Sequence, residues 1–219
     1  MSYTVKKLDR DELTKIYETY MKQDFPSDEL KPLSHILSSM EEGFGFTLGI
    51  YGDGELSGYA VFILCEETGC ALLDYFAILQ DRRGEGLGHC AFLLFEEYFT
   101  RNLPKVEGLY IESERISAAE NEDQRLTRQR RIAFYLSCGC EMTTLRSVLF
   151  GVDYSVLYRR LGGRMEDTGT RRRQQPAKEA LDTLYQKMFK PEHYLRSVSL
   201  TEAAENVSAE NEILAGGKL

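Results

Sequence analysis

Arg82-Arg83-Gly84-Glu85-Gly86-Leu87-Gly88-His89 places three glycines and two arginines within eight residues. Before it runs Ala71-Leu72-Leu73-Asp74-Tyr75-Phe76-Ala77-Ile78-Leu79, which has the length and composition of a buried strand. After it, Leu87, Ala91, Leu94, Phe95 and Tyr98 recur at helical spacing. The glycines therefore occupy a strand-to-helix turn. The first N–H groups of a helix have no intrahelical partner and point outward at the positive end of its dipole. Glycine, lacking Cβ, lets an anion approach them closely. The sequence predicts a phosphate cradle at this turn.

The chain around the turn has 219 residues, 42% of them hydrophobic, enough for one packed domain with an extension. A net charge of -8 argues against a general nucleic-acid or membrane-surface binder but leaves room for one local basic site. The five cysteines, Cys65, Cys70, Cys90, Cys138 and Cys140, are odd in number and form no C-x-x-C pair. They predict reduced thiols in a cytoplasmic protein, not a disulfide framework. Met1 to Lys7 has no apolar signal core, and no run approaches the length of a membrane span. His35, His89 and His193 lie far apart, so no metal site is expected.

The hydrophobic pattern gives the order of elements. Tyr3 to Leu8 reads as a strand. Asp9 and Glu12 then fit a capping box ahead of a helix striped with Leu13, Ile16, Tyr17 and Tyr20, which Pro26 ends. A second helix carries Leu30, Leu33, Ile36, Leu37 and Met40 on one face. The period then shortens. Strands are predicted from Phe44 to Tyr51, Leu56 to Cys65 and Cys70 to Leu79, joined by turns at Gly52-Asp53-Gly54 and Glu66 to Gly69. Beyond the helix at about 87–101 come a strand from Val106 to Glu112, a helix over Arg125 to Ser137, and strands from Met142 to Phe150 and Val152 to Leu161. Residues 1–162 read as one domain. Residues 163–219 read as a linker containing Arg171-Arg172-Arg173, a helix striped with Ala180, Leu181, Leu184 and Tyr185, and a polar tail from Ala203.

With that order of elements, Arg83-Gly84-Glu85-Gly86-Leu87-Gly88 resembles the pyrophosphate signature Arg/Gln-x-x-Gly-x-Gly/Ala of the GNAT superfamily of acyl-CoA-dependent N-acetyltransferases. Phe134-Tyr135, followed after three residues by Gly139, resembles the end of a helix in that family, although Cys140 stands where an aromatic is common. The resemblance covers residues 3–161. It implies an α/β (α+β) GNAT fold, with a mixed, mostly antiparallel sheet of about seven strands flanked by helices, here with a C-terminal helical extension. It also implies direct transfer of an acetyl group from acetyl-CoA to an amine in a ternary complex. The main chain of Phe76, Ala77 and Ile78 is then expected to hold the pantetheine arm, with an N–H near Ile78 available to the oxyanion. Residues Arg83, Gly84, Glu85, Gly86, Leu87, Gly88 and His89 are expected to hold the pyrophosphate.

The chemistry names further groups. An alkylammonium with a pKa near ~10.4 must lose a proton before it attacks, which calls for a carboxylate. Glu112, at the end of its strand, is the first candidate and Asp74 the second. Glu114 shares its parity with Glu112. The leaving thiolate needs a proton, and Tyr135 matches the family's tyrosine general acid; by spacing alone it is also a core aromatic on an amphipathic helix. Glu112 and Asp74 have structural readings as strand-end and edge residues, and His89 as a helix-surface residue. Arg128 and Arg131 read as a solvated face or as a site for an anionic substrate or the 3′-phosphate.

Gly86-Leu87-Gly88-His89-Cys90-Ala91 also satisfies the dinucleotide fingerprint, but that motif belongs to a βαβ unit of a parallel sheet, not to a turn after a meander. A non-catalytic acyl-CoA sensor is the rival from another class. The acceptor, a small-molecule or peptide amine, is left open, as is a homodimer.

Overall fold

The computed structural model describes residues 2–27, 29–161 and 177–202. The expected linker from Gly162, with Arg171 to Arg173, and the tail from Ala203 lie outside the described residues. The chain forms two compact units, Met1–Leu64 with Leu73–Pro104 and Cys65–Leu72 with Lys105–Leu219. The strands follow the sheet order β1-β2-β3-β4-β5-β7-β6-β8.

In the first unit β1 (Tyr3–Lys7) leads to α1 (Arg10–Ile16). The capping box is formed: Asp9 accepts from the Glu12 N–H, and Glu12 accepts from the Asp9 N–H. The helix continues through a π-helical stretch, Tyr17–Met21, into a last turn, α2 (Lys22–Asp24). Phe25 is extended, as a residue before proline tends to be. The next helix, α3 (Leu33–Glu41), starts after Leu30 and so leaves out the first residue of the apolar stripe expected for it. Pro32 occupies its N-cap position without a side-chain cap, and the pre-proline restriction on Lys31 disfavours an earlier start.

Strands β2 (Gly45–Gly52) and β3 (Glu55–Cys65) form a hairpin whose central residues, Asp53 and Gly54, both have positive φ. Such a primed turn matches strand twist. Alternate residues of β3 bury opposite faces. Tyr59 and Val61 join the cluster of Leu13, Ile16, Met21 and Ile36 from the first helices. Phe62 stacks on Phe46 and meets Phe95 and Phe99 edge-on. The latter two belong to α4 (Leu87–Asn102), which follows β4 (Cys70–Ile78) and the glycine turn. Each ring pair contributes about 0.5–1.5 kcal/mol beyond its buried area.

The second unit contains β5 (Gly108–Glu114), α5 (Glu122–Ser137), β6 (Glu141–Leu149), β7 (Val152–Arg160), α6 (Lys178–Met188), α7 (Pro191–Ser197) and β8 (Val198–Glu202). The pairs β5–β7, β6–β7 and β6–β8 are antiparallel. α5 begins three residues earlier than its apolar pattern suggests, because the Asn121 side chain accepts from the Gln124 N–H and caps it. The β6–β7 register breaks between Met142 and Arg146. There the Thr143 hydroxyl donates to Val156 O and accepts from the Leu145 N–H, satisfying groups the ladder leaves out. Helix α6 buries the expected stripe of Ala180, Leu181, Leu184 and Tyr185. The mixed, mostly antiparallel sheet expected from sequence has eight strands, not about seven. The added one, β8, runs along β6 from Leu145↔Glu202 to Leu149↔Val198.

Candidate active site

In the first unit β4 ends at Ile78, and the Leu79 N–H donates to Ser57 O at 3.0 Å. A short 3-10 turn, Gln80–Arg82, and an extended Arg83 carry the chain outward. Gly84 and Gly86 have φ of +85° and +74°, left-handed conformations that β-branched residues avoid. α4 starts at Leu87 on Gly86 as its N-cap, with no side chain to cap it. Among the described residues, the N–H groups of Gly84, Glu85, Gly86, Leu87 and Gly88 donate to no protein acceptor. A Cβ built on Gly84 or Gly86 would meet nothing within 4 Å. Five open donors thus gather at the positive end of a sixteen-residue helix, and exposed space lies before those at Gly84 and Gly86. A di-anionic phosphate chain fits this donor set. His89 is exposed, and its N–H returns to Gly86 O.

The arginines have other duties. Arg83 Nε donates to Ile78 O at 2.8 Å, and its Nη2 donates to Asp24 Oδ1 at 2.9 Å. The guanidinium ties the end of β4 to the last turn of the first helix and so fixes the start of the turn. Asp24 also accepts from the Tyr59 hydroxyl, whose ionisation is pushed well above the ordinary tyrosine range by burial and by that carboxylate. Arg82 lies 3.7 Å from Asp81.

On β4, Asp74 pairs with Lys31 at 2.6 Å, and its side chain is only 11% exposed. The next residue, Tyr75, accepts from the Lys31 N–H and donates to Glu29 O. Phe76 packs on Phe92 and Phe95 of α4. Ala77 is buried, and a Cβ on Gly58 would come within 2.7 Å of its carbonyl, so glycine at 58 permits that close approach.

In the second unit Glu112 is half-buried on β5. Its Oε1 accepts from the Tyr185 hydroxyl of α6 at 2.5 Å and from the Ser147 hydroxyl of β6. Tyr185 is fully buried. Its phenol is held well above the ordinary range by burial and by the neighbouring Glu112 charge, so it stays a donor. Glu114 is clamped by Arg128 at 2.6 Å and Arg131 at 3.3 Å, and Arg128 also donates to Arg115 O. That pairing draws the Arg128 side chain off the solvated face and onto a protein carboxylate, while Arg131 stays exposed on that face and reaches the same carboxylate. Tyr135 is buried on α5, and burial pushes its phenol up to about 12.

The sequence reading missed Tyr185 and Ser147 as neighbours of Glu112. A tyrosine within a stripe of alanine and leucine was the available signal, since a buried phenol needs an acceptor.

A sequence model of the acetyltransferase (GNAT) family matches residues 10–139. The chain belongs to the GNAT acetyltransferase family. The match covers the glycine turn, Glu112 and Tyr135, and ends before β6. It identifies the chain as an acyltransferase of the acetyl-CoA-dependent type. No curated protein matches this GNAT chain in sequence. Among solved structures it resembles the ribosomal-protein-S18-alanine N-acetyltransferase of Escherichia coli, with a TM-score of 0.54 and 18% identity over 77% of this chain and 100% of that one. Spermidine N-acetyltransferase of Vibrio cholerae matches with a TM-score of 0.55 and 12% identity over 76% and 98%. An acetyltransferase of Bacillus subtilis, solved in complex with CoA, matches with a TM-score of 0.50 and 15% identity over 74% and 100%. At these identities the likeness establishes the GNAT fold. No helix among the described residues is long and apolar enough to cross a membrane.

Proposed function

We propose that this GNAT protein transfers the acetyl group of acetyl-CoA directly to a primary amine in a ternary complex. The observation that carries this reading is the run of five N–H groups without a protein acceptor at the start of α4. Acetyl-CoA supplies an acyl group activated as a thioester. The turn from Arg83 to His89 binds its pyrophosphate, and the main chain of Phe76, Ala77 and Ile78 lies along its pantetheine arm.

Glu112 takes the proton from the acceptor ammonium, directly or through water. Tyr135, which burial keeps protonated far above neutral pH, gives its proton to the departing thiolate. Asp74 ranks second as base, because its ion pair with Lys31 must open before it can take a proton. An acyl-enzyme is not invoked. Burial pushes the Cys70 and Cys138 thiols up to about 11 and Cys140 up to about 12, leaving little thiolate to attack near neutral pH. The acceptor is a small-molecule or peptide amine, and the net charge of -8 favours a cationic one.

Thermal unfolding with acetyl-CoA and, separately, with NAD tests the binding half. Acetyl-CoA is expected to raise Tm and NAD to leave it unchanged; a response to NAD alone would overturn the proposal. Thiol release from acetyl-CoA with spermidine, lysine and an alanine-headed peptide tests the transfer half. Binding without transfer to any amine would support the sensor reading instead.

A further inference from the structure

We infer that Tyr185, together with Ser147, is a positioning residue that orients the Glu112 carboxylate for proton abstraction. The inference rests on the base role proposed for Glu112. Three elements of the second unit converge on one oxygen: β5 presents Glu112 Oε1, α6 brings the Tyr185 hydroxyl to 2.5 Å, and β6 brings the Ser147 hydroxyl. Both donors are fully buried, so water cannot replace their acceptor. A buried hydroxyl without a partner is costly, which keeps each bond made. Two donors on one carboxylate oxygen fix the rotation of the group about its last bond and so aim the lone pairs of both oxygens.

The donors are themselves held by rigid structure. Tyr185 stands on α6 beside the buried Leu181 and Leu184, and its ring lies 6.4 Å from that of Phe189. Ser147 is fixed on both sides in the sheet, opposite Tyr154 of β7 and Leu200 of β8. Among the described residues, Tyr154 and Glu114 are titratable groups nearby, paired in the β5–β7 register, and Tyr154 acts on the Tyr185 phenol. Glu114 is already held by Arg128 and Arg131, so it does not compete for the Tyr185 hydroxyl. The family match ends at residue 139, so both donors come from the part of the chain that follows it.

A Tyr–Glu pair that merely pins α6 would affect stability alone, so the test reads chemistry. Tyr185→Phe keeps the ring and removes the hydroxyl. In the thiol-release assay it is expected to lower kcat about tenfold with KM for acetyl-CoA within twofold of wild type. The acidic limb of kcat/KM should move to higher pH, because a carboxylate that loses a donor holds its proton more tightly. Glu112→Gln/Tyr185→Phe should be no slower than Glu112→Gln, since one residue acts through the other. Ser147→Ala should move the same limb in the same direction by a smaller amount, and it serves if Tyr185→Phe does not fold.

An unchanged kcat and acidic limb in both variants would overturn the inference, as would a double variant about tenfold slower than Glu112→Gln. Full activity of Glu112→Gln would instead overturn the base role itself. If no amine supports turnover, a carboxyl NMR titration of carbon-13 glutamate protein decides, with Glu112 assigned by Glu112→Gln. A Glu112 midpoint that rises in Tyr185→Phe supports the inference, and an unmoved midpoint overturns it.

Discussion

The glycine turn of the first unit and the Glu112 neighbourhood of the second are built on opposite plans. At the turn the groups proposed to act are main-chain N–H donors that no protein atom uses, with open space before Gly84 and Gly86. Around Glu112 they are side chains that other side chains hold in place. Exposure explains the first plan. Open donors cost little where water satisfies them, and an arriving anion need only displace that water. Burial explains the second, because a polar group cut off from water must be paired within the protein. Binding can rely on a surface left incomplete, whereas proton transfer needs a group aimed before substrate arrives.

Substitutions in each unit can break or sharpen this contrast. The largest effect is expected from Glu112→Gln, which should lower kcat by about 10²–10⁴-fold, the usual worth of a general base, with binding of acetyl-CoA by thermal shift unchanged. Gly86→Val should do the reverse. It puts a β-branched side chain at φ +74° and into the space before the open donors. It should abolish most of the ~2.7 kcal/mol of stabilisation expected from acetyl-CoA at about 100 times Kd; unchanged affinity would show that the turn is not the site.

A third effect is confined to alkaline pH. Burial holds the Tyr135 phenol at about 12 in the folded chain, against 10 as its ordinary value. The contribution is therefore fully present below pH 10 and is lost as pH rises from 10 to about 12, where the unfolded chain releases this proton and the folded chain does not. Denaturant titrations at pH 8 and pH 11 should show Tyr135→Phe losing about 1–2 kcal/mol less than wild type between the two. The smallest effect is expected from Asn121→Ala, which uncaps α5 in the second unit and should cost about 1 kcal/mol without changing the glycine turn's affinity for acetyl-CoA.

How far the sequence could be read follows from the same contrast. The turn was legible because its parts are neighbours: an apolar run, three glycines and a helical stripe within thirty residues. The Asp9–Glu12 capping box and the Asp53-Gly54 hairpin were legible for the same reason. Tyr185 was not, since it meets Glu112 across 73 residues of sequence and looks like one more core position on its helix. The Arg128 and Arg131 pair with Glu114 is likewise invisible to helical spacing, which records neighbours on one helix and not the strand opposite. Asn121 lay in a polar stretch with no apolar residue to mark the helix start. Strand β8 is five residues long and alternates only Val198 and Leu200 with polar residues, too short a run to stand out after a helix.

That short strand has a practical consequence. It pairs with β6 along five residues, with Ser199, Thr201 and Glu202 among its outward polar positions. Expressing the chain only to Leu161, where the last strand expected from sequence ends, would strip this cover and leave the β6 ladder as an open edge. Open edges recruit other chains. A shortened version should therefore aggregate at concentrations where the full chain stays in solution.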